Sequence, residues 1–489
     1  MTKAIFFPDN KLNAQICSFY NGHSAAVTLD TDTLQLGKYE FAEINLFKYN
    51  LQGTVFLSSY YYSEESVLKN LKSTGRLSYG LYFHTDRWMH EGVDAIIPDY
   101  YATTWTTEGA ALFNVVVGEP KASRFPNHGQ QLYDISGGFY GYDLINSITG
   151  ENELLEFTLS VEKQIKDFIP IERLTSFSYR NGRSLGATLL IPHFLGGRNS
   201  SYYVAGDSFI DYSATREQSI NRSGNTRTWD MVQNGTFTTE TDGINYAKGE
   251  ISKAILNNGW WTDFMHWHSL YNSNDLFFFD RFFSAIDIEI GASNVWRAGY
   301  SEALEYMFIR DSLNKVGSFE NNSKLYLYYE IEDKYKGTFV NGISKNVPIS
   351  FLKTPISIEI DTTGTYLQGK NIQCNEANSI RSLGMDKWVI NVPYLLGKEG
   401  YSRFLLSEGT QEYYSSEKPI INNTSGTITT DKSCKFVVWR KPDSSGEETI
   451  IEIDRVNIFS SVYNLIIEAG YTYYVGVITK SNNSNLIQI

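Results

Sequence analysis

The hydrophobic and polar positions of this chain follow two different patterns, and the change falls near residue 318. Before it, short apolar runs alternate with segments of helical spacing. Residues 24–32 (SAAVTLDTD) predict a buried strand that ends in acids, and residues 300–317 predict an amphipathic helix that ends at a glycine. Alternating strands and helices predict an α/β fold, a parallel sheet or barrel with its chemistry at the carboxyl ends of the strands.

After residue 318 the pattern becomes one of short alternating strands separated by Gly, Asn, Ser and Asp. The roughly 170 residues of this region suit one or two β-sandwiches. Residues 415–489 resemble a fibronectin type III or similar immunoglobulin-like module, with an early tryptophan strand (CKFVVWRKP) and a late tyrosine-rich strand (YTYYVGVITK). We therefore predict three domains, at 1–317, 318–414 and 415–489, and expect the first to fold without the last.

Composition and charge narrow the partners and the compartment. A net charge of −13 without a dense basic run argues against nucleic acid as a partner. Aromatic residues make up 15% of the chain, which is typical both of β-rich proteins and of proteins that bind sugars, and composition leaves both explanations open. No apolar run suits a signal peptide or a membrane helix. This predicts a soluble protein with no membrane partner, not exported by the general secretory route unless a leader has been removed.

Two of the seven histidines lie one residue apart in the stretch NNGWWTDFMHWHS, at residues 257–269. If this stretch is a strand, His266 and His268 point to one face and Trp267 points to the other. A histidine pair on one face of a strand end can bind a metal or move a proton. The pair can equally be hydrogen-bonded core residues of an aromatic strand, and the stretch alone leaves both interpretations open.

The order of the elements over about residues 20–315 resembles that of the polysaccharide deacetylase family. Five stretches carry this resemblance: AAVTLDTD (25–32), SRFPNHGQQLYD (123–134), LTSFSYRNGR (174–183), GEISKAILNNGWWTDFMHWHS (249–269) and NVWRAGYSEALEYMFIRDS (294–312). The most specific part is the closing tryptophan strand that leads into a helix. The resemblance implies an irregular (β/α) barrel of deacetylase type, followed here by β-sandwich modules, and a metal-dependent carbohydrate esterase activity.

Removal of an acetyl group from a sugar requires a metal-bound water, a base and an acid for the leaving group. The resemblance implies that Asp30 is the base, that Asp32 and His128 bind one divalent metal (zinc or a similar ion), and that His266 or His268 is the acid. We expect four further residues to bind the substrate: Tyr179, Asn181, Trp260 and Trp261.

The chain departs from the family pattern at two of the metal ligands. Thr31 stands where the family has a ligand carboxylate, and Leu132 stands where it has the second metal histidine. Asp32 could replace the first ligand, and Tyr133 or Asp134 could replace the second if the loop geometry differs. A zinc site needs about three converging protein ligands, so we expect little or no ordinary metal-dependent turnover.

Two functions follow from these observations. The first is a deacetylase-like, glycan-directed protein with a degenerate metal site, which acts on or binds a bacterial surface polysaccharide and is an enzyme only if shifted ligands hold the metal. The second is a structural component of a phage virion, a tail or fibre protein that uses the barrel as a scaffold. The missing export signal and the immunoglobulin-like modules motivate the second. In that case other virion proteins are partners, and the protein occupies the host cytoplasm during assembly and then the virion.

Overall fold

The computed structural model describes residues 11–32, 39–57, 75–83, 176–179, 196–198, 209–211, 222–226, 228, 232, 235–264, 273–331, 354–374, 376–394, 401–410 and 417–489. Among the helices of these ranges, none combines the length and the apolar character that crossing a bilayer requires. The fold within these ranges is mixed α/β, with one mainly parallel sheet and several antiparallel sheets. The predicted fold class is confirmed at this level.

A short strand, β1 (Gln15–Ile16), precedes the α/β part. The strands of the α/β part are β2 (Ala25–Asp32), β3 (Gly53–Leu57), β4 (Leu77–Phe83), β5 (Ser176–Tyr179), β6 (Gly196–Arg198), β7 (Phe209–Asp211), β8 (Arg222–Thr226), β9 (Trp260–Phe264) and β10 (Val295–Ala298). Its helices are α1 (Tyr39–Lys48), α2 (Glu240–Leu256), α3 (Ser273–Ile290) and α4 (Tyr300–Ser312).

These strands form one nine-stranded sheet in the order β7-β6-β5-β4-β3-β2-β9-β8, with β10 also paired to β2. The β6–β7 pair is antiparallel, and the other pairs are parallel. In the centre of the sheet Asp30 lies opposite Thr54 on one side and Phe264 on the other. Within the described residues the two end strands, β7 and β8, do not pair with each other, so these residues form an open, curled sheet.

Helices cover both faces of this sheet. On one face Arg297 of β10 contacts Asp287 of α3, and Tyr79 of β4 contacts Tyr39 of α1. On the other face α4 packs through Tyr300, whose ring lies 5.6 Å from the ring of Phe56. A closed barrel keeps its helices outside, so α4 departs from the expected barrel arrangement. The predicted 300–317 helix is also too long, because α4 ends at Ser312 and the next residues form a strand.

The middle of the chain forms two antiparallel sheets. Their strands are β11 (Leu313–Asn321), β12 (Lys324–Ile331), β13 (Ile356–Asp361), β14 (Ile372–Gln373), β15 (Ser379–Gly384), β16 (Lys387–Val392) and β17 (Tyr401–Glu408). One sheet has the order β1-β13-β16-β15 and the other the order β11-β12-β17-β14. The N-terminal strand β1 therefore belongs to a sheet formed more than three hundred residues later, which the predicted boundary at residue 317 does not anticipate.

One hydrophobic core joins α4 to its two neighbours. It contains Ala26, Phe56 and Trp260 from the parallel sheet, the inner residues of α4, and apolar residues from both middle sheets, such as Ile358 and Leu327. The helix is thus a layer between the parallel sheet and the antiparallel sheets. A layer covered on both sides has to be apolar on more than one face, and Ala303, Leu304, Tyr306, Met307 and Ile309 are all buried.

The C-terminal part is a five-stranded antiparallel sheet. Its strands are β18 (Ile421–Thr424), β19 (Thr427–Pro442), β20 (Ile451–Asn464), β21 (Tyr471–Thr479) and β22 (Ser484–Gln488). The order is β18-β19-β21-β22, and β20 pairs with β19 through several register shifts. One face of this sheet docks on α1: Trp439 packs edge-on against Phe47, with ring centroids 5.4 Å apart. The predicted tryptophan strand exists, and the described packing buries its ring against a helix of the α/β part.

Candidate functional site

The candidate site lies where the central strands β2 and β9 end. Because these strands are parallel neighbours, their carboxyl ends meet at the same edge of the sheet, and Phe264 lies opposite Asp30. The strands form at the centre because their side chains are largely buried on both faces, and Val27 and Leu29 make the face that α1 and α3 cover apolar. At this edge the acids of β2 therefore lie beside the carboxyl end of β9.

Asp30 is fully buried at this edge. Its Oδ2 accepts a hydrogen bond of 3.1 Å from the hydroxyl of Thr262, its neighbour on β9. Thr31, at the position of a family ligand, is buried as well, and alternation along the strand turns it to the opposite face. Asp32 is the last residue of β2 and lies opposite Phe56 in the sheet, and its side chain lies outside the described residues.

Asp263 is a second buried carboxylate at the same edge, and sequence reasoning missed it. Its Oδ1 accepts hydrogen bonds from the backbone N–H (3.1 Å) and the hydroxyl (2.9 Å) of Thr228. Alternation places Asp263 on the face that α1 and α3 cover, opposite to the face of Asp30. A signal was present in the sequence, because an acid within an apolar strand such as WWTDF is seldom tolerated without hydrogen-bond partners.

Several predicted site residues lie outside the described residues: His128, Asn181, His266 and His268. The backbone of Tyr179 ends β5, opposite Phe83, and its side chain is likewise outside the description. Within the described ranges no group of three or more His, Cys, Asp or Glu side chains is arranged to hold a metal ion. The metal site and the histidine acid therefore stay predictions.

Trp260 and Trp261 are core residues in the described packing. Trp260 donates a 2.9 Å hydrogen bond from Nε1 to the hydroxyl of Thr28, and its ring lies 5.2 Å from that of Tyr300. Trp260 is 3% exposed and Trp261 is fully buried. A glycan could stack on neither ring without displacing the side chains that cover it, so the expected substrate-binding role of both tryptophans has no support in this packing and stays a prediction.

Among the positions of the family's metal ligands, the side chain of Thr31 is described. It offers a buried hydroxyl where the family has a carboxylate. Divalent ions such as zinc favour charged or imidazole ligands. We therefore derive no chemical step through a metal at this edge.

Comparisons with known proteins return little. No protein-family model matches the chain, and no curated protein matches it. One solved structure, the bacterial orthologue of human α-L-iduronidase, aligns over 97% of this chain and 99% of its own, with 8% sequence identity and a TM-score of 0.18. A likeness of this size shows neither a shared fold nor a shared activity.

Proposed function

We propose that this is a glycan-directed protein with a deacetylase-like α/β unit, which binds a bacterial surface polysaccharide at the edge formed by β2 and β9. The finer fold assignment, an irregular barrel of deacetylase type with degenerate metal motifs, is part of this proposal. One observation carries it: Asp30 and Phe264 are paired on parallel neighbouring strands. The family resemblance requires an acid and a histidine segment to meet in this way.

His266 follows Phe264 by two residues in the sequence, and Phe264 lies opposite Asp30 in the sheet. The proposal therefore assigns the histidine segment to the edge at which β9 ends, and the position of His266 is itself part of the proposal.

Binding is the favoured mode of action, and turnover is not. A general base has to contact the water or group that it deprotonates, whereas Asp30 is fully buried and hydrogen-bonded to Thr262. The substitutions at Thr31 and Leu132 act in the same direction, because neither offers a charged or imidazole ligand. At this edge Asp30 would act indirectly, by holding the ends of β2 and β9 together through its hydrogen bond with the buried Thr262.

The test compares binding and chemistry on the same protein. Wild type, Asp30→Asn and the control Asp443→Asn are assayed for binding to bacterial surface polysaccharides by affinity electrophoresis. Asp443 is an exposed acid in the turn after β19. Acetate release from acetylated chitooligosaccharide and xylan is measured with zinc, cobalt, nickel, manganese or magnesium supplied. We expect binding that Asp30→Asn weakens and Asp443→Asn leaves intact, without acetate release. Acetate release abolished by Asp30→Asn would instead make the protein a working esterase, and absence of binding to every polysaccharide would refute the proposal.

A further inference from the structure

A cavity of about 500 Å³ lies at the amino ends of the parallel strands, away from the β2–β9 edge. Three parts of the protein meet there. The α/β part contributes the turn from α3 to β10, the middle sheets contribute Arg381, and the C-terminal part contributes Lys418 and residues 481–483. Small-molecule sites are typically clefts of about 300–1,000 Å³ at such junctions, so the cavity has the size and the position of a binding site.

The charge of the lining is strongly positive in a protein whose net charge is −13. Four cationic side chains line the cavity, against the single carboxylate of Asp287, a formal excess of three positive charges. The four are Arg76, Arg297, Arg381 and Lys418. Asp287 contacts two of them, Arg297 and, at 3.2 Å, Lys418. Field lines concentrate in a cleft lined by one sign of charge, which favours an anionic occupant.

Backbone carbonyls and side-chain amides hold the arginines in place. Arg76 donates to the carbonyls of Leu51 at 2.6 Å and Asn482 at 2.5 Å. Arg381 donates to the carbonyl of Asn21 at 2.9 Å and to the amide oxygen of Asn294 at 3.0 Å. Contacts of this kind fix the orientation of a guanidinium.

Arg297 is the side chain best placed to bind a ligand. Its Nη1 donates to the carbonyl of Tyr49 at 2.8 Å and to Asp287. Among the described residues Nη1 is the only nitrogen of this guanidinium with a hydrogen-bond partner, so Nε and Nη2 are available. Two adjacent guanidinium donors match the two oxygens of a carboxylate or a phosphate.

His23 also lines the cavity, and burial and the positive charges nearby both affect its pKa. Its Nδ1 lies 2.9 Å from the amide oxygen of Asn294. Burial, together with the positive charges of Arg381 and Arg297, lowers the pKa of His23 to about 3, although the hydrogen bond that its Nδ1–H donates to Asn294 opposes this shift. The imidazole is therefore neutral at physiological pH and adds no charge to the cavity.

We propose that this cavity binds a small acidic sugar, a hydroxyl-rich ligand that carries a carboxylate or a phosphate. The acidic group lies on Arg297 and Lys418, and the hydroxyls contact the amide and hydroxyl side chains of the lining, those of Asn50, Ser293, Asn294, Ser481, Asn482 and Asn483. The anionic part of this assignment rests on the cavity alone, and the sugar part rests on the proposed glycan function. Since three parts of the protein line the cavity, a bound ligand also stabilises their association.

Isothermal titration calorimetry on the full chain tests the proposal, with glucuronate, glucose 6-phosphate, glucose and inorganic phosphate as titrants. We expect the acidic sugars to bind, with glucose showing no heat, and added salt to weaken binding. The response to glucuronate and to glucose 6-phosphate identifies the acidic group. Lys418→Gln and Ala292→Glu, which adds a carboxylate to the exposed lining, should each weaken binding about 10- to 100-fold, the range of a charge-assisted hydrogen bond.

The matched control is Lys324→Gln, which removes the same charge from an exposed position on β12 and should leave binding unchanged. The proposal is overturned if no acidic sugar binds at millimolar concentration, if Lys418→Gln binds as wild type does, or if glucose binds equally well. Inorganic phosphate that binds as tightly as the acidic sugars would overturn the sugar assignment. The polysaccharide test reports on Asp30 and the calorimetric test on Lys418 and Ala292, so either proposal can fail while the other stands.

Discussion

Arg455 anchors the C-terminal sheet to the α/β part through a buried ion cluster, and its replacement by methionine should loosen that junction. Its guanidinium lies 2.9 Å from an oxygen of Glu43 on α1 and 2.5 Å from an oxygen of Glu452 on its own strand. The three side chains are 1%, 0% and 5% exposed. Methionine retains most of the length of the arginine stem and removes the charge.

The magnitude follows from what remains after the substitution. Two carboxylates stay buried without their cation, and breaking a buried ion pair by removing one partner costs about 3–5 kcal/mol. Coulomb attraction alone does not set this figure, because desolvation of the surviving charges contributes most of it. Arg455→Met should therefore lower the free energy of unfolding by about 3–5 kcal/mol at pH 8.

The loss should depend on pH. Burial already raises the pKa of Glu43, and the charge of Arg455 opposes this rise. Removal of Arg455 raises the pKa of Glu43 further above the value of the unfolded chain. A carboxyl whose pKa is higher in the folded state binds more protons there, so its destabilising effect is absent at low pH and grows as pH rises through the folded-state pKa. The penalty of Arg455→Met should accordingly be small near pH 4.5 and largest above pH 7.

The assay is urea unfolding at pH 5 and pH 8, combined with hydrogen exchange measured by mass spectrometry over α1 and β20. The control is Arg403→Met, which removes an exposed guanidinium and should change stability by less than about 0.5 kcal/mol. A second variant, Arg455→Met with Glu43→Leu, should recover part of the loss because no carboxylate is left on α1 at that point. A loss below about 1 kcal/mol, or an equal loss at both pH values, would refute the reasoning.

Three further predictions concern the same junction. Burial raises the pKa of Glu40 to about 7. Glu40→Gln should therefore leave the free energy of unfolding unchanged near pH 4.5 and raise it by up to about 3 kcal/mol at pH 8. An equal effect at both pH values in urea unfolding would contradict this. A Cβ at Gly476 would lie 2.9 Å from the ring of Phe47, so Gly476→Ala should lower the free energy of unfolding by about 1–3 kcal/mol, measured by thermal unfolding. The control Gly249→Ala, which has open space around it, should cause no such loss. Deletion of residues 415–489 should give insoluble protein, because it uncovers Phe47 and leaves buried carboxylates of α1 without Arg455. A soluble product with native circular dichroism would instead show that the first domain folds alone, as its sequence predicts.

Sequence patterns predicted which residues are buried more reliably than what covers them. The change near residue 318 and the acid at the end of β2 could both be predicted, because a local run of apolar and polar residues specifies each. The partner of Trp439 could not, since alternation shows that its strand has an apolar face and does not reveal that Phe47 lies against it. The two-residue strand β1 is too short to give any pattern, and only its pairing with β13 makes it a strand.

The candidate site shows the same limit. Asp30 could be predicted from its position at the end of an apolar strand, and its burial and its hydrogen bond with Thr262 could not, because both depend on β9, more than two hundred residues away. Asp263 was missed although an acid within an apolar strand is a signal, because the sequence does not show which residue hydrogen-bonds to it. The hydrogen bonds that compensate the burial of this carboxylate come from Thr228, which is distant in the sequence and adjacent only in the fold.

The pairing of β1 with β13 affects how the protein folds during synthesis. The backbone N–H of Asn21 donates to the hydroxyl of Ser357, a residue 336 positions later. At about 5–20 residues per second, a ribosome needs roughly 20–70 s to add that much chain. Throughout this interval the apolar residues beside β1, such as Leu12 and Phe19, lack part of the surface that finally buries them. The protein therefore passes through a long period in which a chaperone that holds this segment would raise the yield of folded molecules.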